Sequence, residues 1–136
     1  MPTKIDWCDE VWNPVTGCSK ISPGCDHCYA ERMAKRLAGR CGYPKKNPFR
    51  VTVHKDKAYL PLMWKKSRRI FVNSMGDLFH PEVPFPAICD IFGVMVAAPQ
   101  HTFMVLTKRP DRAKRILTGF FLHHVRFLSR KIFGSA

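Results

Sequence analysis

Arg69-Ile70-Phe71-Val72-Asn73-Ser74 and Thr102-Phe103-Met104-Val105-Leu106-Thr107 are two short apolar runs, and between them Pro84–Ala98 sets Ile88, Ile91, Phe92 and Met95 at helical spacing. Each run has the length of a buried strand and is bounded by polar residues. The segment between them is long enough for a crossover helix with a core-facing stripe. Pro99-Gln100-His101 breaks that helix, and Pro110 suits the first turn of another over Arg112–Leu117. Strand, helix, strand, helix at roughly 30 residues per unit is the rhythm of parallel βαβ units. The predicted fold class is α/β, with parallel strands in either a doubly wound sheet or part of a (β/α) barrel.

Toward the N-terminus, Glu10–Trp12 reads as a short strand entering a turn at Asn13-Pro14 and Gly17. Tyr29–Leu37 is helical, with Ala30, Met33, Ala34 and Leu37 on one face, Arg32, Lys35 and Arg36 facing water, and Gly39 as the stop. Residues 40–69 are polar, contain prolines and are strongly basic. They read as a loop or lid with one strand at Phe49–Val53.

The chain has 136 residues, the size of one ordinary domain, and its 46% hydrophobic content is that of a globular protein rather than a disordered one. No apolar run approaches the ~20 residues that cross a bilayer. Met1–Trp7 lacks the apolar core of a signal peptide, so a cytoplasmic location is expected. A formal charge of +13 points to a polyanionic partner, nucleic acid first, because Lys and Arg contacts to phosphate dominate that affinity. The same charge arises if the acidic residues of a longer protein lie elsewhere.

Six cysteines in a cytosolic chain suit metal binding or redox chemistry better than a disulfide framework. Cys18, Cys25 and Cys28 are clustered with spacing C-x6-C-x2-C, while Cys8, Cys41 and Cys89 are scattered. Three chemistries stay open. Three thiolates without an evident fourth partner suit a [4Fe-4S] cluster with one iron left open. A structural zinc would need a fourth ligand, for which His27, Cys8 or Cys41 are the choices. A Cys25–Cys28 redox pair leaves Cys18 unexplained.

Trp7, Trp12-Asn13-Pro14-Val15-Thr16-Gly17-Cys18 and Gly24-Cys25-Asp26-His27-Cys28-Tyr29-Ala30-Glu31-Arg32 together resemble the hallmark of a phage-associated family of unknown function. That family is regarded as radical-SAM-like because of its three cysteines. The resemblance continues through Phe71–His80 and Phe103–Pro110 and covers roughly residues 3–117, with three separated motifs in order. The first spacing is x6, where the commoner radical-SAM loop has x3, and this family departs in the same way. Gly76 stands where the pattern has Ser, and Cys8 where it has Thr.

The resemblance implies a partial (β/α) barrel holding a [4Fe-4S] cluster on Cys18, Cys25 and Cys28, with the open iron binding S-adenosylmethionine and an electron cleaving it to a radical. It implies an enzyme for the intact family. Ser74 and Asp77 follow the second strand, and Lys108 and Arg109 follow the third, at the ends that form the active-site rim of parallel folds. Asp77 is expected to accept from the ammonium of S-adenosylmethionine, and Lys108 or Arg109 to pair with a carboxylate or phosphate. Each also has a plainer role, Asp77 as a cap or turn residue and Lys108-Arg109 as a solvated helix entry. Tyr29 either packs over the cluster or begins the helix core. His80, before Pro81 in a loop, is read as a solvated residue first and as a proton donor second.

Residues 118–136 contain no acid and carry nothing of the family pattern. Residues 1–117 are therefore read as the N-terminal part of a radical-SAM-like domain, and 118–136 as a truncation or frameshift product. The second reading of this tail is an amphipathic helix that docks on a partner protein or membrane. Of two functions, a radical-SAM enzyme acting on nucleic acid stands ahead of a zinc-stabilised nucleic-acid-binding module without catalysis.

Overall fold

A computed structural model describes residues 5–21 and 23–118. The reading of 118–136 as a foreign tail thus lies, from residue 119 onward, outside the described residues. The strands are β1 (Glu10–Trp12), β2 (Val15–Thr16), β3 (Thr52–Val53), β4 (Arg69–Val72) and β5 (Thr102–Val105). The helices are α1 (Tyr29–Arg36), α2 (Leu60–Met63), α3 (Phe85–Ala97) and α4 (Pro110–Leu117), with single 3₁₀ turns at Pro23–Cys25 and Lys55–Lys57.

β1, β4 and β5 form a parallel sheet in that order, with Glu10, Ile70 and Phe103 in one row and Trp12, Val72 and Val105 in another. Each strand is thus followed by a helical segment before the next pairs beside it, as the βαβ rhythm requires. Among the described residues the sheet is open, with β1 and β5 at its edges and no closed barrel. β2 and β3 make a separate antiparallel pair, Val15 opposite Val53 and Thr16 opposite Thr52. The expected strand at Phe49–Val53 shrinks to these last two residues. β2 went unforeseen, because a two-residue strand exists only through its distant partner.

The main core lies on one face of the sheet. Trp12, Ile70 and Val72 are fully buried there with Leu78, Ile88, Ile91 and Val94. Burial of such side chains contributes roughly 1.5–3 kcal/mol each. α3 supplies Ile88, Cys89, Ile91 and Val94, while Phe92 and Met95 of the expected stripe are only partly buried against the same cluster. Trp12 Nε1 donates to the Lys57 carbonyl oxygen at 2.7 Å, so the basic loop is tied to the core through its 3₁₀ turn. On the opposite face the row Val11–Phe71–Met104 is only partly covered. A second cluster joins Ala30 and Ala34 of α1 to Tyr43 and Met75. Glu31 in the first turn of α1 and Lys35 and Arg36 in its last complement the helix dipole. No helix among the described residues is long and apolar enough to cross a membrane.

The strand ends meet where two glycines cross. Gly17 and Gly76 form a parallel bridge, and Gly17 N–H donates to the Met75 carbonyl oxygen at 2.9 Å. Gly17 has φ +92°, and a Cβ there would stand 2.1 Å from the Arg50 carbonyl oxygen. A Cβ on Gly76, where the family pattern has Ser, would stand 2.8 Å from the Gly17 carbonyl oxygen. Gly17→Ala combines a disfavoured φ with a backbone collision, and should cost more than ~2 kcal/mol. Chemical denaturation of the variant is the check, and a stability within ~0.5 kcal/mol of the parent would contradict the described approach.

Candidate functional site

Cys18, Cys25, Cys28, Ser74, Asp77, Lys108 and Arg109 all line one cavity of about 240 Å³. Cys18, Cys25 and Cys28 reach it from the loop between β2 and α1. Asn73, Ser74 and Asp77 reach it from the loop after β4, and Thr107, Lys108 and Arg109 from the loop after β5. All three loops leave the C-terminal ends of parallel strands, and Phe71, Leu106 and Phe49 add apolar wall.

Backbone chemistry shapes each loop. The chain leaves β4 through Asn73 at φ +58°, a left-handed turn that Asn tolerates better than most residues. Asn73 Oδ1 accepts the Val15 amide at 3.1 Å, and Asn73 N–H donates to the Trp12 carbonyl oxygen at 2.8 Å. Asn13 Oδ1 accepts from the Ser74 hydroxyl and the Met75 amide, both at 3.2 Å. Asn73 Nδ2 is buried with no acceptor, so this buried part of the cavity-lining loop holds a spare donor.

Asp77 organises the next loop. Its carboxylate accepts from the Phe79 amide at 2.9 Å, from the Thr107 hydroxyl at 2.8 and 2.9 Å, from the Lys108 amide at 3.1 Å and from Arg109 Nη1 at 3.2 Å. Asp77 is 6% exposed, and the Arg109 side chain only 9%. The ammonium contact expected of Asp77 would therefore have to share oxygens already in use, and its plainer role as a turn residue is realised.

The cations of the third loop face sulfur. Lys108 Nζ donates to Cys25 Sγ and Arg109 Nη1 to Cys18 Sγ, each at 3.3 Å. Arg109 Nη2 reaches the Ser19 carbonyl oxygen at 3.2 Å and its hydroxyl at 3.3 Å. Burial by itself would lower the Arg109 pKa. The hydrogen bond and charge of Cys18, with those of Asp77, outweigh it and hold the guanidinium above its usual value. A wholly solvated helix entry is thus not what Arg109 is, although Lys108 itself is exposed.

His80 is the residue that the sequence misplaces. It is 4% exposed, and its Nε2 lies 2.8 Å from Ser19 Oγ. The Glu82 amide donates to Nδ1 at 3.0 Å, so a neutral ring keeps its proton on Nε2 and donates to Ser19. Tyr29, by contrast, is 61% exposed and belongs to no core.

None of the six cysteines is in a disulfide. Cys8 is buried before β1, at the end of the sheet opposite the cavity, and Cys41 is exposed on the Arg40–Gly42 turn. His27 is exposed. None of these three lines the cavity. Among the described residues no three His, Cys, Asp or Glu side chains are grouped so as to hold one metal ion.

Residues 2–127 match the model of a family described as "Protein of unknown function (DUF5131)". The chain belongs to this family. No curated protein and no solved structure matches it. Membership in DUF5131 spans the whole cavity, since all three of its loops lie within the matched residues.

Two buried histidines, His80 and His54, should make the fold pH-sensitive. Burial, then the nearby Arg109, lowers His80, with smaller opposing pulls from Glu82 and Asp77. Burial likewise lowers His54, which bonds Thr16 Oγ1 at 2.7 Å. A folded-state pKa below the unfolded 6.5 means that the unfolded chain takes up protons first as pH falls. Stability should hold above about pH 6.5 and drop progressively below it. Urea midpoints from pH 8 to 5 test this, and His80→Gln with His54→Gln should flatten the acid limb. An equal acid decline in the double variant would assign it to other groups.

Proposed function

We propose that this chain is an iron–sulfur protein of radical-SAM type, with a [4Fe-4S] cluster on Cys18, Cys25 and Cys28. The observation that carries this reading is the gathering of the three thiols at one cavity on the C-terminal ends of parallel strands. In open and barrel α/β folds those ends are where ligands bind. Coverage also favours an incomplete (β/α) barrel over a doubly wound sheet, because one face is buried under α3 while the Val11–Phe71–Met104 row is left partly open.

The residues fit the group. One zinc held by three of these thiolates would keep their sulfurs about 3.8 Å apart at tetrahedral geometry, given Zn–S bonds of about 2.3 Å. No group of three His, Cys, Asp or Glu side chains able to hold one metal ion occurs among the described residues, and a cluster differs from zinc in giving each thiolate its own iron. A bound cluster with one open iron supplies the binding position for the amino and carboxylate groups of S-adenosylmethionine and the electron for its cleavage. The chain's own work is to present the sulfurs, wall the space with Phe49, Phe71 and Leu106, and offer polar groups from Asn73, Ser74 and Thr107. The zinc-stabilised module remains the alternative, and none of its expected fourth ligands, His27, Cys8 or Cys41, lines the cavity.

The basic surface fits a nucleic-acid substrate best at the cavity rim. The Phe49 carbonyl oxygen accepts the Cys18 amide at 3.2 Å, which brings the loop with exposed Lys45, Lys46 and Arg50 to the cysteines. Lys65, Lys66, Arg68 and Arg69 lie at or just before the start of β4, toward the far end of the sheet. There Arg68 pairs with Glu10 at 2.9 Å and Arg69 with Asp9 at 3.2 Å.

Anaerobic reconstitution should load about four irons and four sulfides per chain. Changing Cys18, Cys25 or Cys28 to Ala should abolish loading, and Cys89→Ala should not. Stoichiometric zinc without acid-labile sulfide would replace this reading by the zinc module. In a separate measurement, nucleic-acid affinity should fall at least ~10-fold from about 50 to about 200 mM salt. Gln at Lys45, Lys46 and Arg50 should reduce that slope more than Gln at Arg68 and Arg69. A salt-independent affinity, or no binding at low salt, removes the polyanion.

A further inference from the structure

We infer that Lys108 and Arg109 are positioning residues that set the reduction potential of the cluster by donating hydrogen bonds to its thiolates. The inference rests on the iron–sulfur reading above and assigns these cations to sulfur rather than to a substrate anion. Its ground is geometric. Two of the three site sulfurs have a cationic donor at 3.3 Å, Lys108 Nζ on Cys25 and Arg109 Nη1 on Cys18.

The loop that carries them is built rigid. Asp77 holds Thr107 by its hydroxyl, Lys108 by its amide and Arg109 by its guanidinium. Thr107 Oγ1 also accepts the Arg109 amide at 2.9 Å, immediately before Pro110 opens α4. Arg109 is then fixed from the other side by the Ser19 carbonyl oxygen and hydroxyl. A guanidinium so clamped keeps its charge and direction whatever the state of the sulfur. It cannot turn outward toward a substrate without abandoning both Asp77 and Ser19.

The sign follows from charge. A cluster held by three thiolates is anionic, and one-electron reduction adds another negative charge. Nearby cations and N–H···S bonds stabilise the reduced form more than the oxidised form, which raises the potential. The buried Arg109 acts in a lower dielectric than the exposed Lys108, so its effect should be the larger. Cys28 has no such donor among the described residues, so the tuning acts on the irons bound by Cys18 and Cys25.

The test is a redox titration of the full-length, anaerobically reconstituted protein, with dithionite as the one-electron reductant and paramagnetic resonance as the readout. Arg109→Gln should load the same iron and sulfide as the parent and lower the equilibrium constant for reduction about 10-fold or more, a midpoint shift of about 59 mV. Lys108→Met should shift the midpoint in the same direction by less. Arg109→Lys, which keeps the charge, should restore most of the shift. A role confined to holding the loop predicts altered loading with no change in midpoint. Loaded variants with the parental midpoint therefore overturn the inference. If Arg109→Gln fails to load, Lys108→Met decides, since among the described residues its side chain bonds the Cys25 sulfur alone. A parent protein that takes up no iron and sulfide overturns the iron–sulfur reading itself, and this inference with it.

Discussion

A carboxylate buried at the end of a strand is costly unless its oxygens are filled, and Asp77 is filled by two amides, a hydroxyl and a guanidinium. Those donors come from its own loop and from the loop after β5, so the carboxylate fastens the exits of two neighbouring strands together. The sheet does not do this by itself, because its ladder ends at Val72 and Val105. Past that point the backbone groups of both loops need other partners. With Asp77 in place, Thr107, Lys108 and Arg109 have one arrangement, and Arg109 can bridge to the cysteine loop. The position of Cys18 relative to β5 is thus set through a chain of polar contacts that begins at Asp77. Glycine sets the other contact, where Gly76 passes close to Gly17.

The parallel strands and their helices were legible because each carries its own periodicity. β1 was found at its observed bounds, α3 and α1 to within a residue at either end, and α4 over Arg112–Leu117 with Pro110 placed in its first turn. β2 and the short α2 were not legible, and β3 only as the end of a longer expected strand, since none has enough residues to show a period and each depends on contacts from distant segments. At the site, the cysteines announced themselves by spacing. Ser74, Asp77, Lys108 and Arg109 were reached through the resemblance and the strand-end rule, and the cavity gathers all of them. Their partners were the harder part. Nothing local in Phe79-His80-Pro81 shows that His80 is buried, because its cover includes Ser19 from a remote loop. Asn13 and Asn73 look like turn residues in the sequence, and they are, but their side chains also tie β1 to the loop after β4.

The high net charge divides between the two ends of the sheet. At the N-terminal end, Asp9 and Glu10 face Arg69 and Arg68, and Arg68 also lies 5.1 Å from the centre of the Trp64 ring. Hydrogen bonds from Arg69 hold the Asp9 carboxyl below its usual range, although so exposed a pair adds little stability. At the C-terminal end Lys108 and Arg109 face sulfur and the buried Asp77, Lys20 lies 4.0 Å from the exposed Asp26, and Lys45, Lys46 and Arg50 are exposed. A polyanion would therefore find its uncompensated charge at the cavity end.

The long spacing between Cys18 and Cys25 raises a physical problem that the contacts answer. Six intervening residues free in solution would cost about 1–2 kcal/mol each to order, and Lys20, Ile21 and Pro23 are all exposed. The loop is instead held at its ends. Cys18 is held by its amide on Phe49, and Ser19 by His80 and by both bonds from Arg109 Nη2. Cys25 closes a 3₁₀ turn in which the Asp26 amide donates to the Pro23 carbonyl oxygen, and Cys28 caps α1. Between these anchors Lys20 lies 4.0 Å from the Asp26 carboxylate. The cation that holds the start of the loop at Ser19 is the same one that faces the Cys18 sulfur.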